Sequence, residues 1–283
     1  TACPGSGKTR TLTHRLAYQV LRDPASKKIK IAITYTNRAA EEITNRLEGM
    51  NIDQSSIWAG TIHQFCMHFI IRPYAMYSKR LCKGYRIIDD YSKKAYGREI
   101  AERLGMHLNY YDDPFQYENV RTEYKRVLKE KKEIDFDAIL LISEELLASC
   151  AFIGSNIASV ISSILVDEFQ DTNELQYTIL SYIYKANKSI TLMFVGDVNQ
   201  AIYTSLGGVA KEKKELEALY GTSDIQSYDV LSSVNCCRHI DADGIICLSV
   251  AIQKVFALLN ICVSKESSLS ELKASFLMKS AQE

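Results

Sequence analysis

Four short apolar runs stand out along the chain. They are Ile29 to Thr34 (I-K-I-A-I-T), Ile57 to Thr61 (I-W-A-G-T), Ile161 to Val166 (I-S-S-I-L-V) and Ile190 to Val195 (I-T-L-M-F-V). Each has the length and β-branched content of a buried strand. Helical patterns separate them, for example Arg38 to Leu47 and Leu175 to Lys185. Strands alternating with helices predict an α/β fold, a parallel sheet with helices on both faces.

The stretch from about Arg72 to Lys132 follows another pattern. It is rich in Tyr and charge, with helical segments at Tyr91 to Leu104 and Glu118 to Glu133 and no strong strand. It predicts a helical insert between two blocks of the sheet. Its last helix carries Arg121, Lys125, Arg126, Lys129, Lys131 and Lys132. Two readings stand for that run, a solvated face or a face that tracks phosphates. The charge-free segment Ala148 to Val166 is long enough to cross a membrane, but it is rich in Ser, holds Gly154 and Asn156, and runs into Asp167-Glu168. A helix end, a turn and a buried strand explain it better, and no membrane partner is expected. The tail Ser264 to Glu283 holds a short amphipathic helix at most.

Composition adds limits. The chain has 283 residues, 47% hydrophobic and 24% charged, which suits an ordinary globular chain. Lys+Arg and Asp+Glu both number 34, so nucleic acid would have to be held by local patches and stacking. The eight cysteines, Cys3, Cys66, Cys82, Cys150, Cys236, Cys237, Cys247 and Cys262, show no C-x-x-C or zinc-finger spacing. Reduced thiols in a cytoplasmic protein are expected.

The chemistry begins at Thr1 to Thr9, T-A-C-P-G-S-G-K-T. Gly5, Ser6 and Gly7, preceded by Pro4, let the backbone turn tightly and aim N–H groups at an anion. Lys8 reaches β- and γ-phosphates, the Thr9 hydroxyl suits Mg²⁺, and a helix starting there, with Arg10 in its first turn, adds its positive end. Ala2 stands at the first position of the G-x-x-x-x-G-K-[ST] pattern. A phosphate-bound Mg²⁺ also needs a carboxylate at a strand end. V-D-E-F-Q-D-T-N, Val166 to Asn173, supplies one after an apolar run. Asp167 is the candidate for the metal, and Glu168 for orienting and deprotonating the attacking water. ATP and Mg²⁺ are the expected ligands. A GTPase would want N-K-x-D, and Asn187-Lys188-Ser189-Ile190 lacks the Asp.

With these residues placed, the chain resembles the first motor domain of the UvrD/Rep-type superfamily 1 DNA helicases. A-C-P-G-S-G-K-T (Ala2 to Thr9) is similar to the family's first motif. T-Y-T-N-R-A-A-E-E-I (Thr34 to Ile43) and G-T-I-H-Q-F-C (Gly60 to Cys66) are similar to its DNA-side motifs, and I-D-F-D-A-I-L (Ile134 to Leu140) to the element after the insert. D-E-F-Q-D-T (Asp167 to Thr172) and V-G-D-V-N-Q-A-I-Y (Val195 to Tyr203) resemble the second and third ATPase motifs. The ordered set spans nearly all of residues 1–240.

The resemblance implies a RecA-like P-loop NTPase that couples ATP hydrolysis to 3′→5′ movement on single-stranded DNA, in repair, recombination or replication. It implies ATPase-core segments at 1–71 and 133–232, the helical insert at 72–132, and the start of a second motor domain or a truncated tail at 233–283. Gln200 would sense the γ-phosphate, and Tyr203, three residues on, would stack on a base. Tyr35, Thr36, Asn37, Thr61 and His63 would line the DNA path. The plain alternatives are packing at strand ends for the two tyrosines and a helix cap for His63.

The chain departs from the family pattern at several places. Thr204, Ser205 and Leu206 stand where a Gly, an aromatic and an Arg are usual; Ile62 replaces a frequent Phe and Cys3 a frequent Gly. Arg238, in V-N-C-C-R-H, is the candidate arginine finger, one residue further from Asn235 than expected. The strand expected ahead of Ala2 and a second RecA-like domain are absent from this sequence, so a partial sequence is the expectation. Three readings follow. One is the motor half of a helicase or translocase. Another is a nucleotide-gated DNA-binding switch with a protein partner in a repair or phage-defence complex, and the third is an inactive remnant.

Overall fold

The computed structural model describes residues 7–109, 111–196, 211–223 and 225–226. In chain order its regular elements begin with α1 (Lys8–Arg22), β1 (Ile29–Thr34), α2 (Asn37–Gly49), β2 (Ile57–Thr61) and α3 (Ile62–Phe65). A π-helical stretch (Cys66–Ile71) leads into α4 (Arg72–Tyr74), β3 (Arg86–Ile87), α5 (Asp90–Arg103), α6 (Glu118–Lys131) and β4 (Glu133–Ile134). Then come α7 (Phe136–Ser149), α8 (Ala151–Val160), β5 (Ile161–Asp167), α9 (Glu174–Ala186), β6 (Thr191–Val195) and α10 (Lys213–Tyr220). The described residues form two compact units. One holds those up to Gly60, Val160–Asn173 and those from Ser189 onward; the other holds Thr61–Ser159 and Glu174–Lys188.

The first unit is built on a four-stranded sheet, order β2-β1-β5-β6. β1 runs parallel to β5, with Ala32 beside Leu165, and β5 runs parallel to β6, with Asp167 beside Val195. Ile31 and Ile33 are buried as fully as Ala32, and Ile164 and Val166 as fully as Leu165. Burial on both faces is what a parallel sheet with covered faces requires. α1 offers Leu12, Leu16, Ala17 and Val20 along one side, and α2 offers Ile43 and Leu47; these close over Ala32 and Leu165. α1 ends at Arg22 because Pro24 disfavours helical backbone at Asp23. This core fixes the start of α1 beside the C-terminal end of β5, where the candidate chemistry lies.

The second unit holds the helices of the insert and its flanks. Ile88, Ile100, Ala101, Val120, Tyr124, Val127 and Leu128 form one core. Gly97 lets α5 approach Phe115 closely: a Cβ there would come within 2.9 Å of the ring. A polar network holds the strand pair β3–β4, which is parallel. Arg86 pairs with Glu133 at 2.8 Å, and the Tyr96 hydroxyl donates to Glu133 at 3.0 Å. The Tyr124 hydroxyl donates to Asp135 at 3.0 Å, and Asp135 caps α7 by accepting from the Ala138 N–H.

Two expectations need correction. Between Ala148 and Val166 the sequence suggested a turn, yet α8 fills Ala151–Val160. Cys150 breaks α7 with extended backbone, and Ile153, Gly154, Ile157 and Ala158 then repeat with helical spacing on a buried face. That period is hidden inside a run that is apolar or small throughout. The insert also contains strand β3, where no strong strand was expected; two residues are too short to leave a pattern. Among the described residues, no helix is long and apolar enough to cross a membrane.

Candidate nucleotide site

Gly7 adopts left-handed backbone, φ 83°, as the residue ahead of α1. A residue with a Cβ would be strained there, so the glycine lets the chain turn sharply into the helix. α1 then places Lys8, Thr9 and Arg10 in its first turn. Lys8 is buried, Thr9 half-buried, and Arg10 exposed. Thr11 and Thr13 send their hydroxyls back to the carbonyls of Gly7 and Thr9, at 3.1 and 2.8 Å, and hold the turn.

Opposite lies the end of β5. Thr9 Oγ1 donates to Asp167 Oδ2 at 3.1 Å, and Lys8 Nζ lies 3.1 Å from Glu168 Oε2. Two residues of one motif thus meet two residues of the other in pairs. Glu168 has left-handed backbone, φ 51°, uncommon for a residue with a side chain. Its N–H donates to Asp167 Oδ1 at 3.1 Å, and the short 3₁₀ turn Phe169–Asp171 follows. That turn brings Gln170 Nε2 within 2.7 Å of Glu168 Oε2. The Glu168 carboxylate is therefore held by a lysine and an amide together.

Asp167 is the strained charge of the site. Burial pushes its carboxyl up to about 6, helped by the negative charge of Glu168; the Thr9 hydroxyl, the Glu168 N–H and Lys8 pull the other way. A divalent cation would offset this cost, and two hard oxygens, a carboxylate and a hydroxyl, face each other to receive it. Among the described residues no group of three or more His, Cys, Asp or Glu could form a metal cage. The fit is to Mg²⁺, which takes few protein ligands and completes its shell with phosphate oxygens and water.

Gly196 follows β6 and abuts this corner. A Cβ there would lie 2.2 Å from Gln170 Oε1 and 2.9 Å from the Phe169 nitrogen. Only glycine lets the third motif pass so close to the second. Gln170 and Gly196 lie within the motifs that the sequence shows, but nothing in the sequence assigns either a role. The spacing rules carry no signal for an amide two residues after the Glu or for a close backbone approach.

The DNA-side candidates fall in both units. In the first unit, Tyr35 ends β1 and is 42% exposed; Thr36 caps α2 by accepting from the Ala39 N–H at 3.2 Å, and Asn37 opens that helix in solvent. In the second unit, Thr61 and Gln64 form a reciprocal capping box at the start of α3. Thr61 and not His63 is the cap. The His63 ring meets Phe136 edge-on, centroids 5.9 Å apart. Burial lowers the His63 pKa, and Asp137 and Asp90 only partly oppose this. The imidazole is therefore neutral near pH 7 and offers a hydrogen bond, not a cation. Ala2, Pro4, Gly5, Ser6, Gln200, Tyr203 and Arg238 lie outside the described residues.

The two arginines of the basic run on α6 are neutralised by glutamates of their own helix. Arg121 pairs with Glu118, and Arg126 with Glu123 and Glu130. The Lys131 ammonium sits 4.1 Å from the centroid of the Tyr96 ring. The solvated-face reading fits these pairs.

Comparison with known proteins agrees with this geometry. The family described as UvrD/REP helicase N-terminal domain matches residues 1–118 and 106–218. The ATP-dependent DNA helicase PcrA of Leuconostoc citreum is 29% identical over 229 aligned residues, covering 70% of this chain and 30% of that protein. DNA helicase II of Escherichia coli K12 is 28% identical over 227, covering 70% and 31%. PcrA of Staphylococcus aureus Mu50 is 28% identical over 228, with the same coverage. The chain thus spans about 30% of the length of these relatives. With the lysine–glutamate and threonine–aspartate pairs in place and the family match running through residue 218, this chain belongs to the UvrD/REP helicase N-terminal domain family.

Proposed function

We propose that the chain is the ATPase half of an ATP-dependent DNA helicase or translocase. The observation that carries this is the meeting of Lys8 with Glu168 and Thr9 with Asp167, at 3.1 Å each. These four side chains have the chemistry to bind and cut a nucleoside triphosphate. Lys8 neutralises the β- and γ-phosphates. Thr9 and Asp167 would hold Mg²⁺, which would offset the charge that builds on the phosphates. Glu168 leaves Lys8, orients a water and accepts its proton. Gln170 positions Glu168 from the side. In this reading Ala2, Pro4, Gly5, Ser6, Gly7 and Arg10 complete the phosphate cradle, Gln200 reports the γ-phosphate, and Arg238 acts as arginine finger.

Single-stranded DNA is the proposed track, with Tyr35, Thr36, Asn37, Thr61, His63 and Tyr203 along it. The names of the relatives support DNA as substrate; the 3′→5′ direction rests on the resemblance. The core segments 1–71 and 133–232, the insert 72–132 and the region 233–283 form one motor domain and the approach to a second RecA-like domain that would close the cleft. The test is ATP hydrolysis by the full-length protein with and without single-stranded DNA. Strong DNA stimulation that disappears in Glu168→Gln supports a DNA motor; turnover equal in the two proteins would refute the site.

The switch reading is favoured by one observation, Thr204-Ser205-Leu206 in place of Gly-aromatic-Arg. It predicts ATP turnover indifferent to DNA and no processive unwinding.

A further inference from the structure

The two arginines of α6 pair with glutamates of their own helix, but another basic segment has no acid of its own to pair with. Between Asp53 and Asp89 the chain has no acidic residue, yet it carries Arg72, Lys79, Arg80, Lys83 and Arg86. Arg86 is engaged with Glu133. Arg72, Lys79 and Arg80 are exposed, and none of them forms an ion pair with a described residue. In a chain of zero net charge this is a local concentration of unpaired positive charge.

Aromatic rings are interleaved with these cations. Within the second unit Tyr74, Tyr77 and Phe152 form a cluster, with Tyr77 and Phe152 centroids 5.1 Å apart and Tyr74 and Phe152 centroids 6.1 Å apart. Phe152 meets both tyrosines edge to face, and the two tyrosines are tilted to each other. Tyr77 is 50% exposed and Phe152 42%. Phe152 stands in Ala148 to Val166, which contains no charge at all. Two exposed rings and a half-buried one would ordinarily be covered; rings close in sequence to cations without ion pairs are the pairing that holds a single strand, bases on rings and phosphates on cations. An apolar protein partner would suit the exposed rings but would leave the cations without counter-charges, which phosphates supply.

We propose that Tyr74, Tyr77 and Phe152, with Arg72, Lys79 and Arg80 flanking the two tyrosines in sequence, form a single-stranded DNA contact separate from the motif residues named above. The choice of DNA over RNA rests on the proposed function; the site itself does not.

The test uses the full-length protein and a fluorescent oligo(dT), without nucleotide, over a range of salt. Tyr77→Ala with Phe152→Ala should weaken binding roughly tenfold, in the range for one lost stacked base. Lys79→Glu with Arg80→Glu alters only exposed side chains, so it guards against misfolding of the aromatic variant. It should reduce the salt slope by about 1.4, at about 0.7 per lost phosphate contact. An oligonucleotide carrying 5-iododeoxyuridine should photocrosslink to the wild-type protein within residues 74–77 or at Phe152. Wild-type affinity and slope in both variants, with crosslinks elsewhere, would overturn the proposal. So would unchanged DNA binding accompanied by lost self-association in the aromatic variant, which would give the rings to a second copy of the chain. DNA-independent ATP turnover should be unchanged in these variants. Absence of turnover in the wild type would sink the proposed function and leave the crosslink result standing.

Discussion

Lys8 Nζ lies 3.1 Å from Glu168 Oε2, so the cation of the phosphate loop and the proposed catalytic base are joined to each other. In the proposed mechanism both act on a bound triphosphate, and neither does so from this position. Nucleotide entry must therefore exchange the Lys8–Glu168 pair for a Lys8–phosphate pair and release the carboxylate toward water. The Gln170 amide stays beside Glu168 and limits how far it swings.

That exchange makes Glu168→Gln a variant with two opposite effects. Loss of the base should lower ATP turnover about 10²- to 10⁴-fold. Loss of the ion pair should free Lys8 and tighten ATP binding by about two- to fivefold, a small gain because Glu168 is one-third exposed. Lys8→Ala should abolish binding. Equilibrium binding of a fluorescent ATP analogue to the three proteins checks this; equal or weaker affinity in Glu168→Gln would show that the pair does not restrain Lys8.

The Thr9–Asp167 pair predicts how metal and nucleotide depend on each other. In the wild type, removing Mg²⁺ with EDTA should weaken ATP binding. Asp167→Asn keeps the hydrogen-bonding partner for Thr9 and removes the charge, so its ATP affinity should be almost indifferent to EDTA. A titration calorimetry series with and without Mg²⁺ reads this directly. Full Mg²⁺ dependence in Asp167→Asn would move the metal away from this carboxylate.

Much of this site was legible in the sequence because its parts are local. The four strands of the main sheet show as apolar runs, and Lys8, Thr9, Asp167 and Glu168 sit at the ends of elements that those runs predict. What stayed hidden is set by tertiary contact. Gln170 holds Glu168 through a 3₁₀ turn and the left-handed backbone of Glu168, neither of which has a spacing signature. α8 was masked because its exposed side mixes Phe152 and Val160 with uncharged Ser155, Asn156 and Ser159, so no charged stripe marks it. The pairing of α6 arginines with glutamates three and four residues away was readable from spacing, but which of the possible pairs form is shown only by the geometry.

Gly196 gives a test that touches no candidate catalytic residue. A methyl group there would overlap Gln170 Oε1 and crowd the Phe169 nitrogen. The turn that carries Glu168 must then move. Gly196→Ala should leave ATP binding through Lys8 within about threefold and cut turnover by about tenfold or more, since misplacement of about 1 Å costs on the order of 10²-fold. Steady-state kinetics with a binding control separates the two. Wild-type turnover would mean that the turn accommodates the methyl group without disturbing Glu168.

Cys66 and Cys82 offer an internal comparison for the second unit. Cys66 is fully buried, and burial pushes its thiol up to about 12, with a hydrogen bond to Ser143 pulling weakly the other way. Cys82 is exposed. The thiolate is the reactive form, so alkylation at pH 8 should be rapid at Cys82 and absent at Cys66 while the unit is folded. For Cys66 the sign with pH is fixed: a raised pKa means that even pH 9 yields almost no thiolate in the native state. Unfolding returns the thiol to the ordinary range of about 8.5 and exposes it. Iodoacetamide labelling with mass spectrometry across a urea titration should therefore show Cys66 modified only through the unfolding transition. Labelling of Cys66 well below that transition would mean that α3 and the π-helical stretch open on their own, and that the helix carrying Thr61 and His63 is not a rigid platform.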